Sequence, residues 1–426
     1  MEVSMENEPL KKGYKRTEIG IIPEDWAVTT LEQTTVPQRP ISYGIVQTGP
    51  AVANGVKCIR VVDIVNGNIK DDNLITTSEE ISNAYKRTKL KNGDLVIALR
   101  GKIGELAIVH KEIEGSNLTR GIALISQKKR FCSEYYKQYL SSSISKSRLQ
   151  NLLNGSALQE LPIATLRGFK VTVPSTDEQH AIATALSGVD ALIAALDKLI
   201  AKKRAIKSAA MQQLLTGKKR LPGFGGNWEK VKLGKLFSFK NGLNKAKGFF
   251  GYGTPIVNYM DVFQSPVIYA SNLEGRVSLS KAELKSFDVK KGDVFFTRTS
   301  ETPEEIGIAS VIFDDPVNTV YSGFVLRARS LDDRLSDRFK AYCFSSTFIR
   351  KQIITKASYT TRALTNGRIL SEIVLPLPSK PEQDAISTVF FDMDAEIKAL
   401  ESRRTKTQAI KQAMMQELLT GRIRLI

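Results

Sequence analysis

Side chains able to do covalent or acid–base chemistry are sparse in this sequence. Its 426 residues include two histidines, His110 and His180, and three cysteines, Cys58, Cys132 and Cys343. Two distant imidazoles argue against a multi-histidine metal site, and three scattered thiols supply neither a CxxC pair nor a disulfide framework. Asp392, Asp394 and Glu396 with Lys398 have the composition of a nuclease cluster, but alternating charge along a helix is ordinarily a solvated face. The string FFGYG, from Phe249 to Gly253, fits the F-x-G-x-G loop that cradles S-adenosylmethionine. Such a loop follows a strand and opens a helix; this one follows the polar stretch NGLNKAKG and is read as a glycine-rich turn. The N-P-P-[YFW] loop of base methyltransferases is missing, since no Pro-Pro dipeptide occurs. Gly217-Lys218-Lys219 lacks the upstream glycine and the hydroxyl residue of a nucleotide-binding loop. What the chain has in quantity is cationic side chains: 62 Lys+Arg against 44 Asp+Glu, a net charge of +18. That excess suits a polyanionic partner such as nucleic acid, with an incidental basic surface as the plainer alternative.

Composition is globular, 42% hydrophobic and 25% charged, and the length allows two to three domains. No apolar run nears the roughly 20 residues that span a bilayer. The opening MEVSMENEPLKKG lacks the layout of a signal peptide. The expectation is a cytoplasmic protein without membrane contact.

An internal repeat organises the rest. VPSTDEQHAIATALSGVDALIAALDKLIAKKRAIKSAAMQQLLTGKKRL, from Val173, matches LPSKPEQDAISTVFFDMDAEIKALESRRTKTQAIKQAMMQELLTGRIRL, from Leu377. Glu178 and Glu382, like Gly217 and Gly421, stand 204 positions apart. His180 faces Asp384 in this alignment, so a role that requires imidazole is not expected there. Upstream, Trp26 echoes Trp228, and GDLVIALR at Gly93 echoes GDVFFTRT at Gly292.

Within each copy the apolar residues step by four and three: Ile182, Leu186, Val189, Ile193, Leu196 and Ile200, then Ile386, Phe390, Met393, Ile397 and Leu400. This is one face of a helix. Pro174 and Pro378 precede it, and Gly217 and Gly421 sit where a C-terminal cap belongs. Each helix then runs about 40 residues, or about 60 Å. The two are expected to pair as an antiparallel coiled coil in a pseudo-twofold molecule. Past Leu196 and Leu400 the face turns polar, which leaves open a solvated half or a partner-binding face. The remaining stretches hold short β-like runs punctuated by Gly, Asn and Asp, followed by helical segments, which gives a mixed α/β class. Boundaries are expected at 1–172, 173–221, 222–376 and 377–426.

Two variable α/β segments, each followed by P-x-x-x-E-Q-x-A-I and a long helix ending in LLTG-x-x-R-L, resemble the specificity subunits of type I DNA restriction-modification systems. The resemblance implies two target-recognition domains on double-stranded DNA, each reading one half of a split site, while the paired helices set the spacing. It also implies docking of two methylation subunits and, through the complex, of restriction subunits. The chain itself is then non-catalytic, with no cofactor and no metal. Candidate DNA-reading residues are Arg100 and Lys102 after the strand DLVIAL, with Arg298 and Thr299 after DVFF. Ser156 and Gln159 in NGSALQEL, and Tyr359, Thr360 and Arg362 in ASYTTRAL, occupy matching places before each domain's end. Arginine suits guanine and glutamine suits adenine, while lysine more often meets phosphate. Two other readings stay open: a self-contained S-adenosylmethionine-dependent DNA methyltransferase, and a coiled-coil scaffold for proteins only.

Overall fold

Each glycine–aspartate turn that begins a hydrophobic run opens a central strand of a mainly antiparallel sheet. In the computed structural model, which describes residues 10–153, 159–359 and 361–426, the chain forms two compact units. One comprises Met1–Asp197 with Arg403–Ile426, the other Lys198–Ser402.

In the first unit, strands β1 (Ser42–Tyr43), β2 (Leu95–Ala98), β3 (Leu106–Ile108) and β4 (Ile122–Ile125) lie in the order β3-β2-β4-β1, all antiparallel. β2 and β4 are buried on both faces, which explains their continuous apolar runs. In the second unit, β5 (Phe237–Asn241), β6 (Val267–Ile268), β7 (Val294–Thr297), β8 (Ala309–Ile312) and β9 (Val325–Ser330) lie in the order β5-β9-β7-β8-β6. This is the same sheet with one parallel edge strand, β6, added. In each unit a strand near the domain's start pairs with one at its end: Ala27–Thr30 with Lys170–Val173, and Glu229–Lys232 with Val374–Leu377. Helices over the sheets complete the mixed α/β architecture.

Two long helices, α1 (Thr176–Leu214) and α2 (Lys380–Leu418), have 39 residues each, about 58 Å at 1.5 Å per residue. Each takes part in both units. In the first unit the start of α1 lies against the end of α2, with Asp190 paired to Lys411 at 2.7 Å and Asp197 to Arg404 at 2.5 Å. In the second the end of α1 lies against the start of α2, through Lys203–Glu396 at 2.6 Å, Arg204–Glu401 at 2.5 Å and Lys207–Asp394. In each unit the earlier part of one helix meets the later part of the other, as from Asp190–Lys411 to Asp197–Arg404 and from Arg204–Glu401 to Lys207–Asp394, so the helices are antiparallel. The acidic half of each meets the basic half of the other, an arrangement that a parallel pairing would turn into repulsion.

The apolar face of each helix differs from the single seam its spacing suggests. Ile182 and Leu186 are buried in the first unit's domain core beside Trp26 and Tyr136, and Ile386 and Phe390 in the second's beside Phe296 and Tyr342. The helix starts therefore plug into globular domains. Leu196, Ile200 and Ile397 are the later members of the stripe that are buried. Glu396 is exposed and Asp394 half-buried on α2; both make ion pairs, and Asp394 also accepts from the Tyr342 hydroxyl at 2.8 Å.

The repeated motif residues join helix starts to helix tails. Glu178, on α1, accepts from the Trp26 indole at 2.9 Å and from Arg424, beyond the end of α2, at 2.7 Å. Glu382, on α2, accepts from Trp228 at 2.9 Å and from Arg220, beyond the end of α1, at 2.6 Å. Gln179 and Gln383 each bridge backbone: they accept from the amides of Cys132 and Ser336 and donate to the carbonyls of Pro174 and Pro378. The cap glycines have positive φ, 69° at Gly217 and 71° at Gly421. A Cβ on Gly421 would lie 2.4 Å from Pro23, so glycine is needed there for conformation and for space.

Candidate nucleic-acid interface

The strand ends that carry the candidate residues are fixed from below by the glycine–aspartate turn. Gly93 and Gly292 have φ of 86° and 80°. The Asp94 and Asp293 carboxylates accept from the amides of Lys91 and Lys290 at 2.7 and 2.8 Å, closing the turn. Each aspartate then holds an arginine, Arg39 at 2.7 Å and Arg329 at 2.6 Å. This motif is therefore a structural anchor for β2 and β7.

Beyond β2, Leu99 donates its amide to the Gly121 carbonyl and accepts from the Leu161 amide, at 2.7 and 2.9 Å. Arg100 forms an antiparallel bridge with Glu160, and the two side chains make an ion pair at 2.7 Å. Arg100, with Arg120 nearby, holds the Glu160 carboxyl below its ordinary range. Lys102 is exposed on the turn between Gly101 and Gly104, and Gln159 is exposed beside Glu160. The two segments singled out separately in the first half thus meet in space. Ser156 lies outside the described residues.

The second half repeats the frame with other side chains. Arg298 donates its amide to the Phe324 carbonyl at 3.2 Å and accepts from the Thr365 amide at 3.0 Å. Arg298 therefore occupies the place of Leu99, and Thr299 that of Arg100. Thr299–Ser300 pairs with Ala363–Leu364, which pairs with Ser358–Tyr359, so Thr299 and Tyr359 share one small sheet, with Arg298 next to Thr299 and Arg362 next to Ala363 in the chain. Tyr359 is exposed, and Arg362 is paired with Glu301 at 2.9 Å. Thr360 lies outside the described residues.

Sequence reasoning missed a third contributor to each frame. A Cβ on Gly44 would lie 1.9 Å from the Leu118 carbonyl oxygen, and one on Gly242 would lie 2.1 Å from that of Ser322. At these crossings Ile45 bridges Thr119 and Leu243 bridges Ser322, both parallel. The chain thus carries Arg120, and in the other half Gly323 and Phe324, to the tips of β2 and β7. The available signal was a glycine about 50 positions before each glycine–aspartate pair, in YGI and NGL.

Around these tips the chemistry is that of hydrogen-bond donors on rigid strand ends. Among the described residues no group of His, Cys, Asp and Glu is placed to hold a metal ion, and no helix is long and apolar enough to cross a membrane. FFGYG is a bulged strand: Phe250–Val257 pairs with Arg276–Val277, with a register shift between Phe250 and Thr254 and positive φ at Gly251 and Gly253. It opens no helix.

The chain belongs to the class of duplicated α/β proteins in which one strand-end frame is repeated in two units built on a pair of long antiparallel helices. A family profile described as the type I restriction modification DNA specificity domain matches residues 51–204 and again 225–412, and the chain belongs to that family. It is 32% identical over 181 residues, 42% of its length, to the type I restriction enzyme EcoBI specificity subunit of Escherichia coli, of which the match spans 38%. It is 24% identical, over 97% of each chain, to the putative type I restriction enzyme MjaX specificity subunit of Methanocaldococcus jannaschii. Among solved structures, the S subunit of a type I system from M. genitalium is 14% identical and aligns over 92% of this chain and 96% of its own, with a TM-score of 0.54. A structure from work on complex assembly and conformational transition of the type I system is 15% identical over 94% of this chain and 99% of its own, with a TM-score of 0.59.

Proposed function

We propose that this chain is a non-catalytic subunit that reads double-stranded DNA for a type I restriction-modification complex. Each globular domain, 1–172 and 222–376, reads one half of a bipartite site. The helices of 173–221 and 377–426 set the gap between the half-sites and dock two methylation subunits, and restriction subunits join through that complex in the cytoplasm. The observation that carries this function is the duplicated frame with unlike tips: Arg100 and Glu160 stand on one, Thr299 and Leu364 on the equivalent positions of the other. Equal frames with different side chains suit one task performed on two different sequences. Partner docking draws support from Leu192, Leu199 and Ile206, exposed apolar residues at seven-residue spacing on α1. The placement of FFGYG in a bulged strand weighs against a self-contained methyltransferase.

The test is DNA binding by the full chain reconstituted with its methylation subunits. Log affinity is expected to fall linearly with log salt, with a slope of about −0.9 per phosphate contacted. Arg100→Ala and Arg298→Ala are expected to weaken specific binding about tenfold each. Salt-insensitive binding, or unchanged DNA protection by both variants, would contradict the function.

A further inference from the structure

Phe324 is 67% exposed at the tip of the second domain. Single exposed apolar residues are common and need no explanation; what sets this one apart is how it is held. The Gly323 amide donates to the Leu243 carbonyl at 2.8 Å, the Phe324 amide to the Ser322 hydroxyl at 3.2 Å, and the Phe324 carbonyl accepts from the Arg298 amide. A Cβ on Gly323 would fall 1.9 Å from Asn244 Oδ1 and 3.1 Å from the Leu243 carbonyl oxygen, so a side chain before the phenylalanine would have to displace the Asn244 amide. The ring is thus carried on a backbone pinned on both sides, and covering it costs little ordering entropy. The equivalent residue of the first domain is Gly121, where a Cβ would lie 2.9 Å from Val61 Cγ2. The aromatic tip therefore belongs to the second domain alone among the two frames.

Its neighbours give the chemistry. Arg298 carries a guanidinium whose Nη1 reaches the Gly323 carbonyl at 3.5 Å, the outer limit of a hydrogen bond, and Asn244 is exposed beside the same turn. Arginine, asparagine and an apolar ring are the side chains that match guanine, adenine and the thymine methyl group in the major groove. We infer that Phe324 is a specificity-determining residue of the second domain, making an apolar contact with the C5-methyl group of a thymine in its half-site; this rests on the DNA-reading function proposed above.

Deoxyuridine lacks that methyl group and keeps the base pair, which makes it the probe. Each thymine of the mapped site is replaced in turn by deoxyuridine, and binding is measured for the reconstituted complex with native chain and with Phe324→Ala. One position in one half-site is expected to weaken native binding about fourfold, the worth of one buried methyl-sized group, while Phe324→Ala binds both DNAs equally. Melting of the variant chain is expected to match the native chain, since the ring is exposed. Equal deoxyuridine sensitivity of native and variant complexes, or no sensitive position at all, as for a ring wedged between base steps, overturns the thymine contact while leaving bipartite binding intact. A complex that binds no bipartite site overturns both.

Discussion

Trp26 and Trp228 are the two tryptophans of the chain, one in each unit, and each donates to a buried glutamate. Each unit therefore has its own fluorescent reporter. Trp26→Phe removes a hydrogen bond to the Glu178 carboxylate, which is 1% exposed, and is expected to cost about 1.5–3 kcal/mol. Arg424→Ala is expected to cost more, because Glu178 then keeps no cation. Denaturant unfolding of Arg424→Ala should shift the Trp26 signal to lower denaturant; equal stability would contradict the role given to the tail. Arg424 also holds the Asp25 carboxyl below the ordinary aspartate range, chiefly through their hydrogen bond. A carboxyl lowered on folding adds stability above its unfolded pKa and loses it as pH falls through the folded one. Asp25→Asn is therefore expected to be less stable than the native chain at pH 7, with the difference closing toward pH 3. Unfolding midpoints at both pH values check this. The P-x-x-x-E-Q and LLTG-x-x-R-L strings were legible as a repeat because they recur at constant offset. Their chemistry was not legible, since Arg424 and Glu178 meet across 246 positions that no local pattern connects.

At the scale of elements, periodicity correctly gives two long helices but not what covers them. A stripe at four and three spacing is apolar whether it faces a second helix or a sheet, so Ile182 and Phe390 looked like seam residues and are domain core. The polar later half carried the missing information: its lysines and arginines are spaced to meet the acids of the opposing helix. Lys207, whose side chain is 17% exposed, pairs with Asp394, and Lys207→Glu is expected to destabilise the second unit by about 1 kcal/mol. Asp394→Lys in the same chain should restore most of that loss. Thermal melting of the single and double variants measures the coupling, and additive losses would show that the pair does not hold the helices. Strand ends were the better guide to which segments meet in space. Arg100 and Arg298 were both put forward from the run that precedes them, and a one-residue difference in frame puts Arg298 in the place of Leu99. Such a shift becomes visible once backbone partners are known.

At the scale of the whole molecule, duplication was the most legible property, and it predicts that reading and spacing are separable. Under the proposed function, bases are chosen at the tips of β2 and β7, and the gap is a property of α1 and α2. One helical turn of DNA is about 34 Å, or about 10 base pairs, against about 5.4 Å for one turn of α-helix. Adding one turn to α1 should therefore change the gap by a base pair or two. The direct measurement is mapping of modified adenines in cells that carry the native chain and in cells whose chain has four residues inserted before Leu214. The expected result is the same two half-sites separated by a longer gap. Altered half-sites at an unchanged gap would contradict it.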